Sequence, residues 1–235
     1  MSRTLIVAPT AREAAAFGPG AIVCGAGTDA SDAVASRLRA NAGAYDLVVI
    51  AGVCGGLDPS LQPGSLILAR RSISAASGEE LAVDVPVFDA LRRTLRTQHI
   101  PFVSSVVLTV ERPVASVVEK TDLWNRYGAG GVDMETHVVA TASIAAGVPW
   151  IAIRAVLDPA GVSLPASLRY WDANSDDRDI ARAALRRPAE WLAYARLALG
   201  LRQSLAALRS VAPAIEGFAP PIAIDLTILP ARVPA

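Results

Sequence analysis

The chain has 235 residues, a formal net charge of zero and an apolar-rich composition. That length can hold one large α/β domain with a sizeable core, and neutrality removes the electrostatic footprint of a nucleic-acid binder. No apolar run reaches the length of a transmembrane helix, and the one near the start (Leu5 to Ala8) is too short for a signal peptide. A cytoplasmic protein, soluble or peripheral at the inner membrane, is expected. Cys24 and Cys54 follow no metal-ligand spacing and sit beside glycines at strand exits, where a small buried residue suffices. Neither a metal nor a cofactor is expected.

In chain order, Thr4 to Ala8 reads as a strand and Ala11 to Phe17 as a short helix. Ala21 to Cys24 is a second strand and Ser31 to Ala40 a helix. Leu47 to Ala51 and Ser65 to Ser72 are further strands, the first of them apolar enough to be covered on both faces. Phe88 to Gln98 is an amphipathic helix with Phe88, Leu91 and Leu95 on its apolar side. Val103 to Thr109 is a strand, and Val114 to Trp124 is mostly helical. Thr136 to Ala146 favours a packed helix that Gly147 and Pro149 end. Trp150 to Val156 is a buried strand, and Ala189 to Val211 a final helix. Such alternation predicts an α/β fold with three α/β/α layers around a central mixed, twisted sheet. Residues 1–212 read as a single domain and 213–235, with several prolines, as an extended tail.

The stretch from Val132 to Asp158 is the most informative. A helix running back along a sheet and a strand returning place the helix start and the strand end on one side. That side receives Asp133 and Glu135 from the helix entrance and Asp158 from the strand exit. Ligands of open α/β sheets bind at the carboxyl ends of strands. Acids at a helix N-terminus also offset its dipole, which alone could explain Asp133 and Glu135. Arg154, inside an otherwise apolar strand, requires a partner when buried, and these carboxylates are the candidates.

Val132-Asp133-Met134-Glu135 followed by Ile153-Arg154-Ala155-Val156-Leu157-Asp158 resembles the signature of the purine nucleoside phosphorylase and methylthioadenosine/S-adenosylhomocysteine nucleosidase superfamily. The block from Asp46 to Ala69, with Gly52, Gly55 and Gly56, resembles its strand, glycine turn and following strand. Leu5 to Glu13 with Cys24-Gly25-Ala26-Gly27-Thr28 is similar to its first strand, first helix entrance and second glycine turn. The blocks occur in the family's order over roughly residues 4 to 158.

The resemblance implies an enzyme that cleaves a purine N-glycosidic bond. The transition state carries positive charge on the ribose and negative charge on the departing base. Asp158 would protonate the purine N7, with its pKa raised by burial, and an aspartate here favours adenine. Glu135 would accept the ribose 2′ and 3′ hydroxyls, with Met134 packed on the sugar. Asp133, Arg154, Thr109, Gly52 and Gly55 complete the implied substrate-binding set. Glu13 lies where nucleosidases carry the carboxylate that activates water. Its other reading is a solvated first-turn acid. Gly25, Gly27 and Thr28 could cradle a phosphate through backbone amides, with Arg112 as a further phosphate ligand. Water and phosphate therefore both stand as nucleophile. Two departures matter: Thr109 to Val114 lacks the glycine and phenylalanine with which methylthioadenosine nucleosidases hold adenine, and Leu157 replaces the usual serine.

The C-terminal third resembles the hopanoid-associated phosphorylases, which remove adenine from adenosylhopane. It is rich in leucine and alanine, with Tyr170, Trp171, Trp191 and Tyr194. This predicts a substrate with a large apolar 5′ group. Helix Ala189 to Val211 carries an apolar stripe through 191, 194, 198, 201, 205 and 208 flanked by arginines. Such a helix either packs on its own domain or lies on a membrane surface. A homo-oligomer is expected. Alternatives are a methylthioadenosine/S-adenosylhomocysteine nucleosidase and a catalytically silent nucleoside-binding protein. A dinucleotide-binding oxidoreductase is disfavoured, because residue 30 is Ala where the third glycine of the fingerprint would stand.

Overall fold

A computed structural model describes residues 3–165, 187 and 190–221. The described elements are β1 (Thr4–Ala8), α1 (Ala11–Ala14) continued by a 3₁₀ turn (Ala15–Phe17), β2 (Ile22–Val23), α2 (Gly27–Ala40), β3 (Leu47–Gly56), β4 (Leu66–Ser74) and β5 (Glu80–Ala82). They continue as α3 (Val85–Thr97), β6 (Val103–Thr109), α4 (Val117–Tyr127), β7 (Gly131–Asp133), α5 (Thr136–Ala145), β8 (Trp150–Asp158) and α6 (Trp191–Glu216). Eight strands form one mixed sheet with six α-helices among the described residues, the α/β architecture expected from the alternation of apolar runs.

The pairings return on themselves. β3 is parallel to β8, β8 antiparallel to β4, β4 parallel to β6, β6 parallel to β7, and β7 antiparallel to β3. β1 and β2 extend from β3, and β5 from β4. β3 and β8 are buried almost throughout because both their edges and both their faces are covered. The two short strands β5 and β7 escape a reading by periodicity, which needs more than three residues to register.

β8 runs two residues beyond the expected Val156 and is irregular there. Cys54 pairs with Val156 and Gly55 with Asp158, so Leu157 is skipped. A bulge of this kind re-aims the side chains that follow it. It sets Asp158 opposite Gly55, at the carboxyl end of the strand.

Two expectations are corrected. Gly27 and Thr28 are not a free turn: α2 begins at Gly27, four residues before the expected start. Residues 213–218 are not a tail either. α6 runs through Pro213 to Glu216, and Ile215 and Phe218 are buried in the core. An internal proline costs about 3 kcal/mol. Burying Ile215 and Phe218 offsets it, since each such side chain contributes roughly 1.5–3 kcal/mol. Residues 222–235 and the aromatics Tyr170 and Trp171 lie outside the described residues.

α6 packs on its own domain along Gly200, Ser204, Leu208 and Val211. Ser204 Oγ donates to the Val156 carbonyl at 2.6 Å. At Gly200 a Cβ would lie 2.2 Å from the bulged Leu157 carbonyl oxygen, a backbone atom with nowhere to go. Gly200→Ala is therefore expected to lose about 1–3 kcal/mol, the usual penalty of overpacking. A urea midpoint equal to that of the parent protein would refute this contact.

Candidate active site

Residue 13 is the third helical residue after Thr10, whose side-chain oxygen accepts the Glu13 amide and whose hydroxyl donates to Glu13 Oε2. This cap turns the Glu13 carboxylate inward. Its Oε1 accepts the Val53 amide at 2.7 Å, and the side chain is buried. The solvated-acid reading of Glu13 is thereby overturned. Burial pushes the carboxyl above its ordinary pKa, with Thr10, Val53 and Arg154 opposing.

Arg154 stands opposite Gly52 in the β3–β8 register and is fully buried. Its Nη2 lies 2.7 Å from Asp133 Oδ2 and 3.4 Å from Glu135 Oε2, and Nε and Nη2 donate to Thr136 Oγ1. Burial alone would lower the guanidinium pKa, but Asp133, Glu135 and Glu13 outweigh it and hold it above its ordinary value. Nη1 is different: it has no hydrogen-bond partner among the described residues. It points at Gly52, where a Cβ would sit 2.6 Å from Nη1 and 2.8 Å from Glu13 Oε1. Any side chain at 52 would fill the space that these two groups share.

Asp133 and Thr109 depart from the expected substrate-binding set. Asp133 Oδ1 accepts Thr109 Oγ1 at 2.8 Å and the amides of Glu135 and Thr136, while Oδ2 takes Arg154 and the Thr136 hydroxyl. Its acceptor sites are filled from within the protein. Thr109 Oγ1 also accepts the His137 amide at 3.0 Å. The pair fixes the β7–α5 corner and leaves no group of its own for a ligand. Glu135 is less committed. Arg154 spends its shorter contact on Asp133, so burial, with Asp133 and Glu13, raises the Glu135 pKa despite the arginine. Met134, beside it, is half-buried.

Asp158 closes the other end. Its Oδ1 would be 3.7 Å from a Cβ at Gly55, and Oδ2 accepts Lys120 Nζ from α4. Burial pushes the carboxyl up to about 6, with Lys120 opposing. Lys120 was not legible as a site residue: Glu-Lys-Thr-Asp on a helix reads as a solvated face. Thr136, which bridges Asp133 and Arg154, was missed for the same reason, since an isolated threonine carries no signal.

The expected phosphate ligands do not converge. The Gly25 amide donates to the Pro9 carbonyl at 3.1 Å and the Gly27 amide to the Met134 carbonyl at 3.1 Å. These bonds tie the turn at Gly25 to the end of β1 and the start of α2 to the β7–α5 corner. Thr28 is exposed. Arg112 is exposed and paired with Glu119 at 2.7 Å.

Two buried acids thus stand over glycines of one strand. Gly52 and Gly55 are three residues apart, about 10 Å along a strand, with Glu13 and Arg154 at one and Asp158 at the other. The model of the phosphorylase superfamily matches residues 18–193 of the chain. The chain belongs to the phosphorylase superfamily. Among curated relatives, futalosine hydrolase of Streptomyces coelicolor is 34% identical over 144 residues, 55% of this chain and 60% of the relative. The chain thus spans less than two thirds of that relative's length.

Two solved structures share the fold. A 5′-methylthioadenosine/S-adenosylhomocysteine nucleosidase from Neisseria meningitidis, in complex with methylthio-immucillin-A, superposes with a TM-score of 0.68 at 17% identity. The superposition covers 92% of this chain and 99% of that one. Native futalosine hydrolase of Helicobacter pylori gives 0.64 at 17% identity over 89% and 97%. At these identities the likeness is one of fold.

Proposed function

We propose that this phosphorylase-superfamily member hydrolyses the N-glycosidic bond of a purine nucleoside, with adenine as the departing base. The observation that carries the reading is the pair of poles on β3: Glu13 and Arg154 Nη1 facing Gly52, and Asp158 beside Gly55. Water held by Arg154 Nη1 and Glu13 attacks the ribose C1′, and Glu13 takes its proton. The bond from C1′ to the purine nitrogen breaks as Asp158 donates a proton to N7. Nucleoside and water become ribose and free purine, and the two carboxyls have exchanged one proton in opposite senses. Each proton transfer of this kind is worth roughly 10²–10⁴ in rate. Glu135 accepts the ribose hydroxyls, and Met134 covers the sugar.

Water is favoured over phosphate as nucleophile because the Gly25 and Gly27 amides are already bonded and Arg112 is paired outside the site. The similarity to a futalosine hydrolase supports the same choice.

A narrower reading names adenosylhopane, in hopanoid biosynthesis, as the substrate. It rests on a cavity of about 210 Å³ that includes Asp158 and is walled by Leu157, Val162, Leu164, Leu197 and Leu199. Trp191, Leu192 and Leu199 are exposed near the start of α6. An apolar 5′ group seated there would gain roughly 0.8 kcal/mol per buried methylene. No helix among the described residues is long and apolar enough to cross a membrane.

One assay tests both readings: incubation with adenosine, methylthioadenosine, futalosine, inosine and long-chain 5′-alkyl adenosines, with and without phosphate, followed by chromatography. Adenine and free sugar should appear without phosphate. A sugar 1-phosphate formed only with phosphate would replace hydrolysis by phosphorolysis. Equal cleavage of inosine would end the preference for adenine, and no released base would leave a silent binding protein. In competition, the alkyl adenosines should exceed methylthioadenosine in kcat/KM, and a wide margin for the short thioether would remove the lipid reading.

A further inference from the structure

The group that the proposed reaction does not yet use is Lys120. It projects from the first turns of α4, has no exposed side-chain surface, and donates to Asp158 Oδ2 and to the carbonyls of Pro159 and Val162, both at 2.9 Å. A lysine ammonium has three donors, so all are satisfied, and only one acceptor is ionisable. A buried cation placed this way needs its carboxylate. Lys120 donates to Oδ2, and both carboxyl oxygens stand over Gly55, at 3.7 and 3.8 Å from a Cβ built there.

We infer that Lys120 is a positioning residue that orients Asp158 toward the departing base and holds the carboxylate left when its proton is given up. This rests on the hydrolytic reading above, in which Asp158 loses its proton as the glycosidic bond breaks. The carboxylate then formed meets a cation already in place, so no reorganisation is required in the transition state. No covalent step involves Lys120, which acts only as a hydrogen-bond donor. The hydrogen bonds to Pro159 and Val162 also fix the chain that leaves β8, and with it the rotamer of Asp158.

The other groups around Asp158 do not substitute for it. Cys54, from β3, is a buried thiol whose pKa burial raises, so it stays neutral. Asp133, from β7, is paired with Arg154. Arg196, which lines the Asp158 cavity from α6, is exposed to solvent. Burial pushes Asp158 up and Lys120 holds it down, so removing the ammonium should let the carboxyl rise further.

The test is Lys120→Met and Lys120→Arg, read by carboxyl NMR titration of Asp158 and by the pH dependence of kcat and kcat/KM. In Lys120→Met the Asp158 midpoint should rise by about one to three pH units, the usual effect of an adjacent opposite charge. The alkaline limb of kcat/KM should move with it, and kcat should fall more than KM changes. Lys120→Arg, which keeps the charge, should restore most of the midpoint. An unmoved Asp158 midpoint in a folded Lys120→Met protein overturns the inference. Should that variant fail to fold, the unsubstituted protein decides: the Lys120 Nζ resonance should shift as the Asp158 carboxyl loses its proton, and a Lys120 resonance unmoved through that pH range overturns it. A moved midpoint in a protein that cleaves no nucleoside would leave the Lys120 pairing standing and remove the proposed hydrolysis instead.

Discussion

Asp158→Asn is expected to lower kcat/KM by roughly 10²–10⁴, the usual worth of a general acid, while the protein stays folded. The amide is nearly isosteric, and its oxygen can still accept Lys120 Nζ, so the α4–β8 connection is kept. What it lacks is a proton that can be given to N7. The unsubstituted protein should show the matching pH dependence. Asp158 titrates at about 6, and its acidic form is the one required, so kcat/KM should fall as pH rises through that value. The acidic limb belongs to Glu13, which must be ionised to take a proton from water and whose pKa burial also raises. A bell-shaped profile that loses its alkaline limb in Asp158→Asn, with a matching urea transition, is the expected result. A near-normal rate in the variant would remove Asp158 from the chemistry.

The second large effect is on stability. Arg154→Met is expected to cost about 3–5 kcal/mol, the usual consequence of removing one partner from a buried ionic cluster. Asp133 and Glu135 are both buried, and Arg154 is the cation that faces them at 2.7 and 3.4 Å. Methionine fills much of the volume but supplies no donor to Asp133, Glu135 or Thr136. The pH dependence has a definite sign. Without the arginine, the Glu135 carboxyl, which burial already raises above its ordinary pKa, should rise further. The folded protein then binds protons more readily than the unfolded chain, and its stability is greatest at low pH and lost as pH rises through the raised value. Urea unfolding at several pH values reads this directly. A variant as stable as its parent at neutral pH would show that the cluster is not held by Arg154.

What the sequence alone determined was local. Apolar runs of period two or 3.6 marked most of the strands and helices, and Val132–Asp158 carried its acids and its arginine at the ends and middle of two recognisable elements. Glu135, Arg154 and Asp158 could therefore be named as a group, because the topology of a helix and a returning strand is nearly forced. Three things required the tertiary structure. The bulge at Leu157 comes from the pairing of β8 with β3 and decides where Asp158 points. α6 extends past Pro213 because the core it meets offsets a local penalty that a reading of proline alone takes as decisive. Lys120 lies 38 residues from Asp158 in sequence, on a helix whose pattern says only that lysine is polar. Periodicity reports which face of an element is buried, but the partner of a buried charge is chosen by chain segments that meet only on folding. That is why the acids of this site were legible and the cation set against Asp158 was not.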